Sequence, residues 1–362
     1  MKKTDLVTNE YLIEVLSGWL GVSASDVERG ISRLELKEAA EYLLAPESTF
    51  FMRSLRKIVQ ALLGSSSQRM RISITDVLKL FRNALKKGPR TTEEAYFNRI
   101  VSRARDVFSE RGIKTDMPGG VICLSHDIDW KDCYDFAEEL TELELSYNVR
   151  STLNFLTNWN YRLDKGFLGS LLERGFEIGL HGTDHDIALA YRSRKKIREK
   201  LKQGRDELPA PIKGFRSPAL SSSQTLFEVL DELGFEYDSS LYAVNPYGRG
   251  TESYFPYRYP GLRLWEIPLA VQDSWLFRDM NLSEEEAFSK VRRIMHEIVA
   301  LKGTFVFCGH PGILRSKPRF FKMFLEECNR LAHASNDIKI LKMEHCFDNF
   351  AKRNPNPVQK CA

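Results

Sequence analysis

Six cysteines occur in this 362-residue chain, and no two of them form a Cys-X-X-Cys pair. That excludes a zinc ribbon and a thioredoxin-like redox site as readings of the sequence. No stretch approaches the roughly 18 uncharged apolar residues that a membrane span needs. Lys2 and Lys3 are followed by Asp5 and Glu10 instead of an apolar run, so no secretory signal is read. The expectation is a cytoplasmic protein with reduced thiols; Cys123 and Cys308, inside apolar strand-like runs, read as small buried hydrophobes. A large excess of one charge is also missing: 53 Lys and Arg against 49 Asp and Glu leave only +4. What is present, 43% hydrophobic and 28% charged residues, fits a globular chain with one large core and a smaller accessory part.

Residues up to about Pro118 read as helical, with segments Asn9–Trp19, Ala24–Leu44, Phe50–Leu63, Thr75–Lys87 and Thr92–Arg111. Ser23 or Ser25 caps one of them, with acidic residues in the first turn, and Ser73 or Thr75 caps another. This part holds 20 basic and 15 acidic residues against 33 and 34 in the remainder, so it carries the whole basic excess. The segment Phe50–Leu63 mixes Phe50, Phe51, Leu55, Ile58 and Leu62 with Arg53, Arg56 and Lys57. A basic amphipathic helix can lie on an anionic membrane, but a bundle helix with a solvated basic face is the plainer reading.

The Pro118-Gly119-Gly120 cluster marks a break. Beyond it, short apolar runs alternate with helical ones. The runs are VICLS, STLNFL, FEIGLH, GFRS, FEYDSS, LWEIPLAV, TFVFCGH and IKILKM. The helical stretches between them are 135–145, 165–173, 188–208, 223–233, 283–300 and 318–334. Such alternation predicts a parallel α/β fold, a barrel or an open sheet. The divisions expected are 1–117 as a helical accessory domain, 118–350 as the α/β domain and 351–362 as a frayed tail.

Polar residues gather where these runs end, as parallel α/β sites do. After VICLS come His126-Asp127-Ile128-Asp129; if the strand stays extended, Asp127 and Asp129 project to one side. Two such carboxylates need a cation or a shared proton. FEIGLH ends in His181-Gly182-Thr183-Asp184-His185, whose histidines converge on one ion if the segment turns tightly. Two imidazoles with one carboxylate leave coordination positions open, the pattern of a hydrolytic divalent site. GFRS delivers Arg216, with Pro218 stiffening the turn, and TFVFCGH delivers His310. Singly these signals are weak. Asp-X-Asp recurs by chance and also holds metal–nucleotide sugars, His-X-X-X-His is often a surface helix pair, a lone histidine after a buried strand can be a core histidine, and a lone arginine a surface cation. Their joint order is what carries information.

That order resembles the polysaccharide deacetylase (NodB-homology, carbohydrate esterase 4) family over about Gly119 to Phe350. The usual Thr-Phe-Asp-Asp-Gly stands here as Ser125-His126-Asp127-Ile128-Asp129, with the aspartate pair spread apart. The usual His-[Ser/Thr]-X-X-His corresponds to His181–His185 with its hydroxyl residue moved one place, and Arg-X-Pro to Arg216-Ser217-Pro218. The last motif, a histidine after a strand, is His310. The remaining motif matches poorly: Tyr237-Asp238-Ser239-Ser240 and Trp265-Glu266-Ile267-Pro268 both look familiar, Asp238 reads as structural, and Asp273 is offered as the residue that orients His310.

The resemblance implies a distorted (β/α) barrel of the NodB type with an N-terminal α-helical domain. It implies a divalent cation, zinc for preference, held by Asp129, His181 and His185; Asp127 as the base, paired with Arg216; and His310 as the acid. Such a cation lowers the pKa of water and polarises an amide carbonyl. Arg216 would keep Asp127 ionised, a backbone N–H within 216–219 would support the oxyanion, and protonated His310 would donate to the leaving amine. The expected substrate is an N-acyl, above all N-acetyl, amino sugar or glycoconjugate precursor. Trp130, Trp159, Tyr161, Tyr242, Tyr247, Tyr254 and Trp275 are candidates for stacking on sugar rings, against plain packing as the bland reading. Two rivals stand: hydrolysis of a non-sugar amide or imide, as in allantoinase-like relatives, and a non-catalytic protein docking a membrane or nucleic acid through its basic helices. No nucleic-acid partner is expected on the leading reading, and the oligomeric state is left unassigned.

Overall fold

The computed structural model describes residues 9–30, 96–110, 114–117, 119–209, 211–245 and 250–353. The helical segments proposed at 50–63 and 75–87, the stretch 31–44, Pro118, Tyr247 and the tail from 354 lie outside the described residues. Among the described residues no helix is long and apolar enough to cross a membrane.

The chain opens with α1 (Asn9–Leu20), α2 (Ala24–Gly30) and α3 (Tyr96–Glu110). Ser23 caps α2, its hydroxyl accepting from the Asp26 amide at 3.2 Å, which resolves the choice between Ser23 and Ser25. Then follow β1 (Gly120–Ile128), α4 (Lys131–Ser146), β2 (Thr152–Leu156), α5 (Lys165–Glu173), β3 (Glu177–Gly182), α6 (Arg194–Glu207), β4 (Gly214–Phe215), α7 (Gln224–Glu232) and β5 (Tyr237–Asp238). The second half holds β6 (Tyr257–Arg258), β7 (Trp265–Glu266), β8 (Val271–Gln272), α8 (Glu284–Ala300), β9 (Thr304–Gly309), α9 (Pro311–Arg315), α10 (Pro318–Ala334), β10 (Ile338–Ile340) and α11 (Asp348–Arg353).

These ten strands form one sheet in the order β6-β7-β5-β4-β3-β2-β1-β9-β8, with β10 paired to the start of β1. Every pairing is parallel except the β6–β7 hairpin. The central strands β1, β2, β3 and β9 are buried at every position. Strands covered on both faces read as unbroken apolar runs, which is why they were visible in the sequence. The curled sheet with flanking helices is a distorted (β/α) barrel, as expected.

β1 stays extended past Ser125 to Ile128, because its pairing with β2 continues through Asp127 and Ile128. Two other expectations need correction. The helix expected over 188–208 is broken: a short 3-10 turn spans Leu189–Tyr191, and Ser193 then caps α6 by accepting from the Lys196 amide. LWEIPLAV is two short strands, separated at Pro268, whose missing N–H cannot extend a ladder.

The N-terminal helices share a hydrophobic core with the barrel. Tyr11, Leu12, Leu16 and Trp19 of α1 and Phe108 of α3 pack in one cluster with Phe215, Tyr257 and Trp265. Trp19 Nε1 donates to the Pro256 carbonyl at 2.8 Å, the Tyr11 hydroxyl donates to the Arg258 carbonyl, and the Trp19 ring stacks on Phe255. A second cluster lies between the sheet and α8 and α10, centred on Phe305, Phe307, Phe320 and Phe324.

Candidate active site

Parallel register decides which side chains meet at the C-terminal ends of the strands. In β1, Ser125 and Asp127 face the cleft, with Asp129 just beyond the strand. His126 faces the other way, into a buried pair with Glu144 at 2.7 Å. Asp127 lies opposite Asn154 of β2, and Ser125 opposite Cys308 of β9. β3 brings His181 and, through a tight turn, His185; the positive φ of Gly182, 120°, makes that turn possible straight after the strand. β4 delivers Arg216, β8 delivers Asp273, and β9 delivers His310.

Asp129 is the hub. Its Oδ1 lies 3.0 Å from His181 Nε2 and 3.5 Å from His185 Nε2, and its Oδ2 lies 3.4 Å from His310 Nε2. His181 Nδ1 contacts the Arg216 carbonyl at 2.7 Å; that acceptor places the proton on Nδ1 and leaves Nε2 with its lone pair toward Asp129. A buried carboxylate oxygen facing a lone pair calls for a cation between them. Asp129 Oδ1 is indeed buried without a hydrogen-bond partner, and the three residues' ligand atoms fall within 4.8 Å of one another. Two imidazoles and one carboxylate fit a divalent cation with open positions. The surrounding field agrees. Burial acts to lower the His181 pKa, yet the negative charges of Asp127 and Asp129 raise it above the usual value. Burial acts to raise the Asp129 pKa, but His185, His181 and His310 hold it well below the usual carboxylate range.

Asp127 is bound differently. Its Oδ1 accepts from Asn154 Nδ2 at 3.0 Å and Arg216 Nη1 at 3.2 Å, and its Oδ2 accepts from the Cys308 thiol at 3.2 Å. Burial works to raise its pKa, and Arg216, then His181 and His310, outweigh that and lower it. Arg216 is 1% exposed. It also donates to Ser125 Oγ, Ser239 Oγ and the Ser239 carbonyl at 2.7, 2.9 and 2.9 Å. His310 Nδ1 pairs with Asp273 Oδ1 at 2.6 Å, and the His310 amide donates to Asp273 Oδ2 at 2.6 Å. Burial would lower the His310 pKa, but Asp273 and then Asp129 carry it up to about 9.

The turn after Arg216 holds Ala219 and Leu220 in the left-handed region, both at φ 51°. Pro218 packs toward Gly182, whose added Cβ would stand 3.7 Å from the proline Cγ. The amides of Arg216, Ser217 and Leu220 donate to the Leu180 carbonyl, Ser240 Oγ and the Ser217 carbonyl. The Ala219 amide takes part in none of these bonds and is the candidate oxyanion donor within 216–219. Lys200 of α6 bridges Asp184 and Asp186 on either side of His185, and Arg192 reaches Asp186 at 3.1 Å, so the second histidine sits on a braced loop.

The sequence reading had missed three cleft residues, Asn154, Cys308 and Ser239. From the sequence Cys308 reads as a small buried hydrophobe. It is fully buried, but its thiol binds Asp127. Strand alternation carried the signal, since Cys308 stands two residues before His310 and therefore on the same face. Among the aromatics, Trp130 and Trp159 flank His185, with ring centroids 6.1 and 6.5 Å from it. Tyr161 is a packing residue: its hydroxyl donates to the Ile128 carbonyl and accepts from the Leu156 amide. Tyr242 binds Gln272, Tyr254 lies in the second core cluster, and Trp275 carries Lys290 over its ring.

Asp238 and Glu266 are cross-strand neighbours at the ends of β5 and β7. Asp238 accepts from the Ser240 hydroxyl and amide, which makes it a structural residue. Burial first, and for Glu266 the neighbouring Asp238 charge, push both pKa values up, Asp238 to about 6. Raised carboxyl pKa values favour the protonated pair in the fold. Their contribution to stability is therefore full below the ordinary carboxyl pKa and is lost as pH rises through about 6. Glu266→Gln removes this loss. The melting temperature of the variant relative to the wild type will climb between pH 4 and pH 8 in thermal unfolding, and a difference constant across that range would contradict the shared-proton pair.

Similarity to known proteins covers part of the chain. The family model "Polysaccharide deacetylase" matches residues 114–237, and no curated protein matches the chain. A solved structure described as a candidate polysaccharide deacetylase from Mycobacterium smegmatis superposes with a TM-score of 0.52 at 18% identity, covering 67% of this chain and 93% of that one. An allantoinase, PuuE, gives 0.52 at 11% identity, over 66% and 93%. A second candidate polysaccharide deacetylase, from Pseudomonas aeruginosa, gives 0.51 at 12% identity, over 66% and 93%. β1 to β5 lie inside or border the matched segment, so the chain resembles the polysaccharide deacetylase family over residues 114–237 and shares its fold with these solved structures.

Proposed function

We propose that this chain is a metal-dependent hydrolase that removes an N-acyl group, above all N-acetyl, from an amino sugar or glycoconjugate precursor. One observation carries the reading: a carboxylate paired with Arg216 and an imidazole paired with Asp273 both border the Asp129–His181–His185 triad. Asp129, His181 and His185 would hold the cation, zinc for preference. When bound, it supplies Lewis acidity, lowering the pKa of water and polarising the amide carbonyl.

The protein's own groups do the proton work. Asp127, ionised beside Arg216, takes a proton from the attacking water. His310, kept protonated by Asp273, gives one to the leaving nitrogen, which would otherwise depart as a very poor anionic leaving group. The Ala219 amide supports the developing oxyanion. Trp130 and Trp159 border the cleft where a sugar ring would lie.

The test is acetate release from N-acetylglucosamine oligomers by protein reconstituted with zinc, set beside hydrolysis of allantoin. The second substrate is included because the allantoinase likeness is as close in fold as the deacetylase one. Acetate release that is abolished by a chelator and restored by zinc supports the reading. Turnover of allantoin alone would replace it with hydrolysis of a non-sugar amide.

A further inference from the structure

A second set of metal-ligating side chains lies on the β9 side of the cleft. Asp127, Cys308 and His310 are all buried, and their ligand atoms fall within 4.8 Å of one another. None of the three belongs to the Asp129–His181–His185 triad. Asp127 uses Oδ1 for Asn154 and Arg216, whereas Oδ2 faces the Cys308 thiol across 3.2 Å. Zinc–sulfur and zinc–oxygen bonds are about 2.3 and 2.0–2.2 Å long, so a sulfur and an oxygen that close can share one ion at an ordinary angle. His310 keeps Nδ1 on Asp273 and presents Nε2 to the cleft, the arrangement usual for a ligating imidazole backed by a carboxylate.

We propose that Asp127 Oδ2, Cys308 Sγ and His310 Nε2 form a second, weaker site for a thiophilic divalent cation, and that its occupation blocks the enzyme. This rests on the hydrolase reading for its consequence, since the ion would occupy both the base and the acid. Binding is written as an exchange: the cation enters, the thiol proton and the His310 Nε2 proton leave to solvent, and no group is oxidised. Two features make the site weaker than the triad. Arg216 already neutralises Asp127, and two protons must be displaced. Cys308 supplies the selectivity, because a thiolate favours zinc and cadmium over magnesium and calcium.

The probes are zinc and cadmium alone. Equilibrium dialysis of the full chain against zinc should give one tight equivalent and a second with a markedly higher Kd. Cys308→Ser and Cys308→Ala should keep the first and lose the second, and magnesium should never fill it. Cadmium titration should raise the ultraviolet thiolate-to-cadmium charge-transfer band in the wild type, reduced in both variants by the share due to one thiolate. A single zinc equivalent, or a second equivalent and a band unchanged in folded Cys308 variants, overturns the site and leaves the hydrolase reading standing. Loss of the tight equivalent from the wild type overturns the hydrolase reading instead, and the cadmium band then decides on Cys308 alone.

Discussion

Asparagine at position 127 will leave the tightly bound metal in place and reduce turnover by roughly 10²–10⁴-fold, the range of a lost general base. The separation follows from the oxygen partners. The two imidazole nitrogens that approach a carboxylate at 3.0 and 3.5 Å approach Asp129, whereas Asp127 is taken by Arg216, Asn154 and Cys308. In Asp127→Asn the amide oxygen still accepts from Arg216 and Asn154, so the pocket keeps its shape, but no group with a usable pKa remains at that point. Metal content after dialysis and the initial rate of acetate release are the two measurements. Asp129→Asn should show the reverse order of events, losing the metal first. If Asp127→Asn emerges from dialysis without metal while Asp129→Asn retains it, the roles of the two aspartates are exchanged.

Replacing Arg216 by methionine will cost about 3–5 kcal/mol of stability, the range for removing one partner of a buried ion pair. The guanidinium is fully enclosed and serves four acceptors: Asp127, Ser125 Oγ, Ser239 Oγ and the Ser239 carbonyl. Methionine fills much of the volume and answers none of them. The sign of the pH effect follows from Asp127, whose pKa Arg216 helps to depress. A depressed carboxyl pKa contributes stability above the unfolded value that is lost as pH falls, so the methionine variant gives up this share at neutral pH. The acid limb of any residual activity will move to higher pH as Asp127 becomes easier to protonate. Arg216→Lys restores the charge but not the fork of donors, and is expected to recover part of the activity and little of the stability. Urea unfolding of the three proteins at pH 7 measures this. A methionine variant as stable as the wild type would mean that Asp127 is neutral in the fold.

How much of this was legible depends on whether a feature is written along one strand or between two. Asp127, Asp129, His181, Arg216 and His310 each follow a buried apolar run, and the run announces the end at which they sit. Asn154 and Cys308 reach the site through register, Asn154 opposite Asp127 and Cys308 opposite Ser125. Register is a pairwise property that a single strand does not state. β6 and β7 are two residues each, too short for any period to emerge, so their hairpin was not foreseen. Asp273 came only from the family resemblance, as the residue offered to orient His310; the bond to His310 depends on β8 lying beside β9, which is tertiary. The basic segment at 50–63 stays a sequence expectation, since it lies outside the described residues.

The contact of α1 with β6 has a consequence for self-association. β6 is the outermost strand of the sheet on that side, and an outermost strand normally offers its main-chain acceptors to any passing chain. Here the carbonyls of Pro256 and Arg258, two residues apart and hence on the same side of the strand, are taken by Trp19 and Tyr11. Pro256 itself has no amide to offer. The border is thus closed by indole and phenol groups in place of another strand. Among the described residues, those two acceptors are thus held by side chains of the same chain and are not offered to the edge of another sheet.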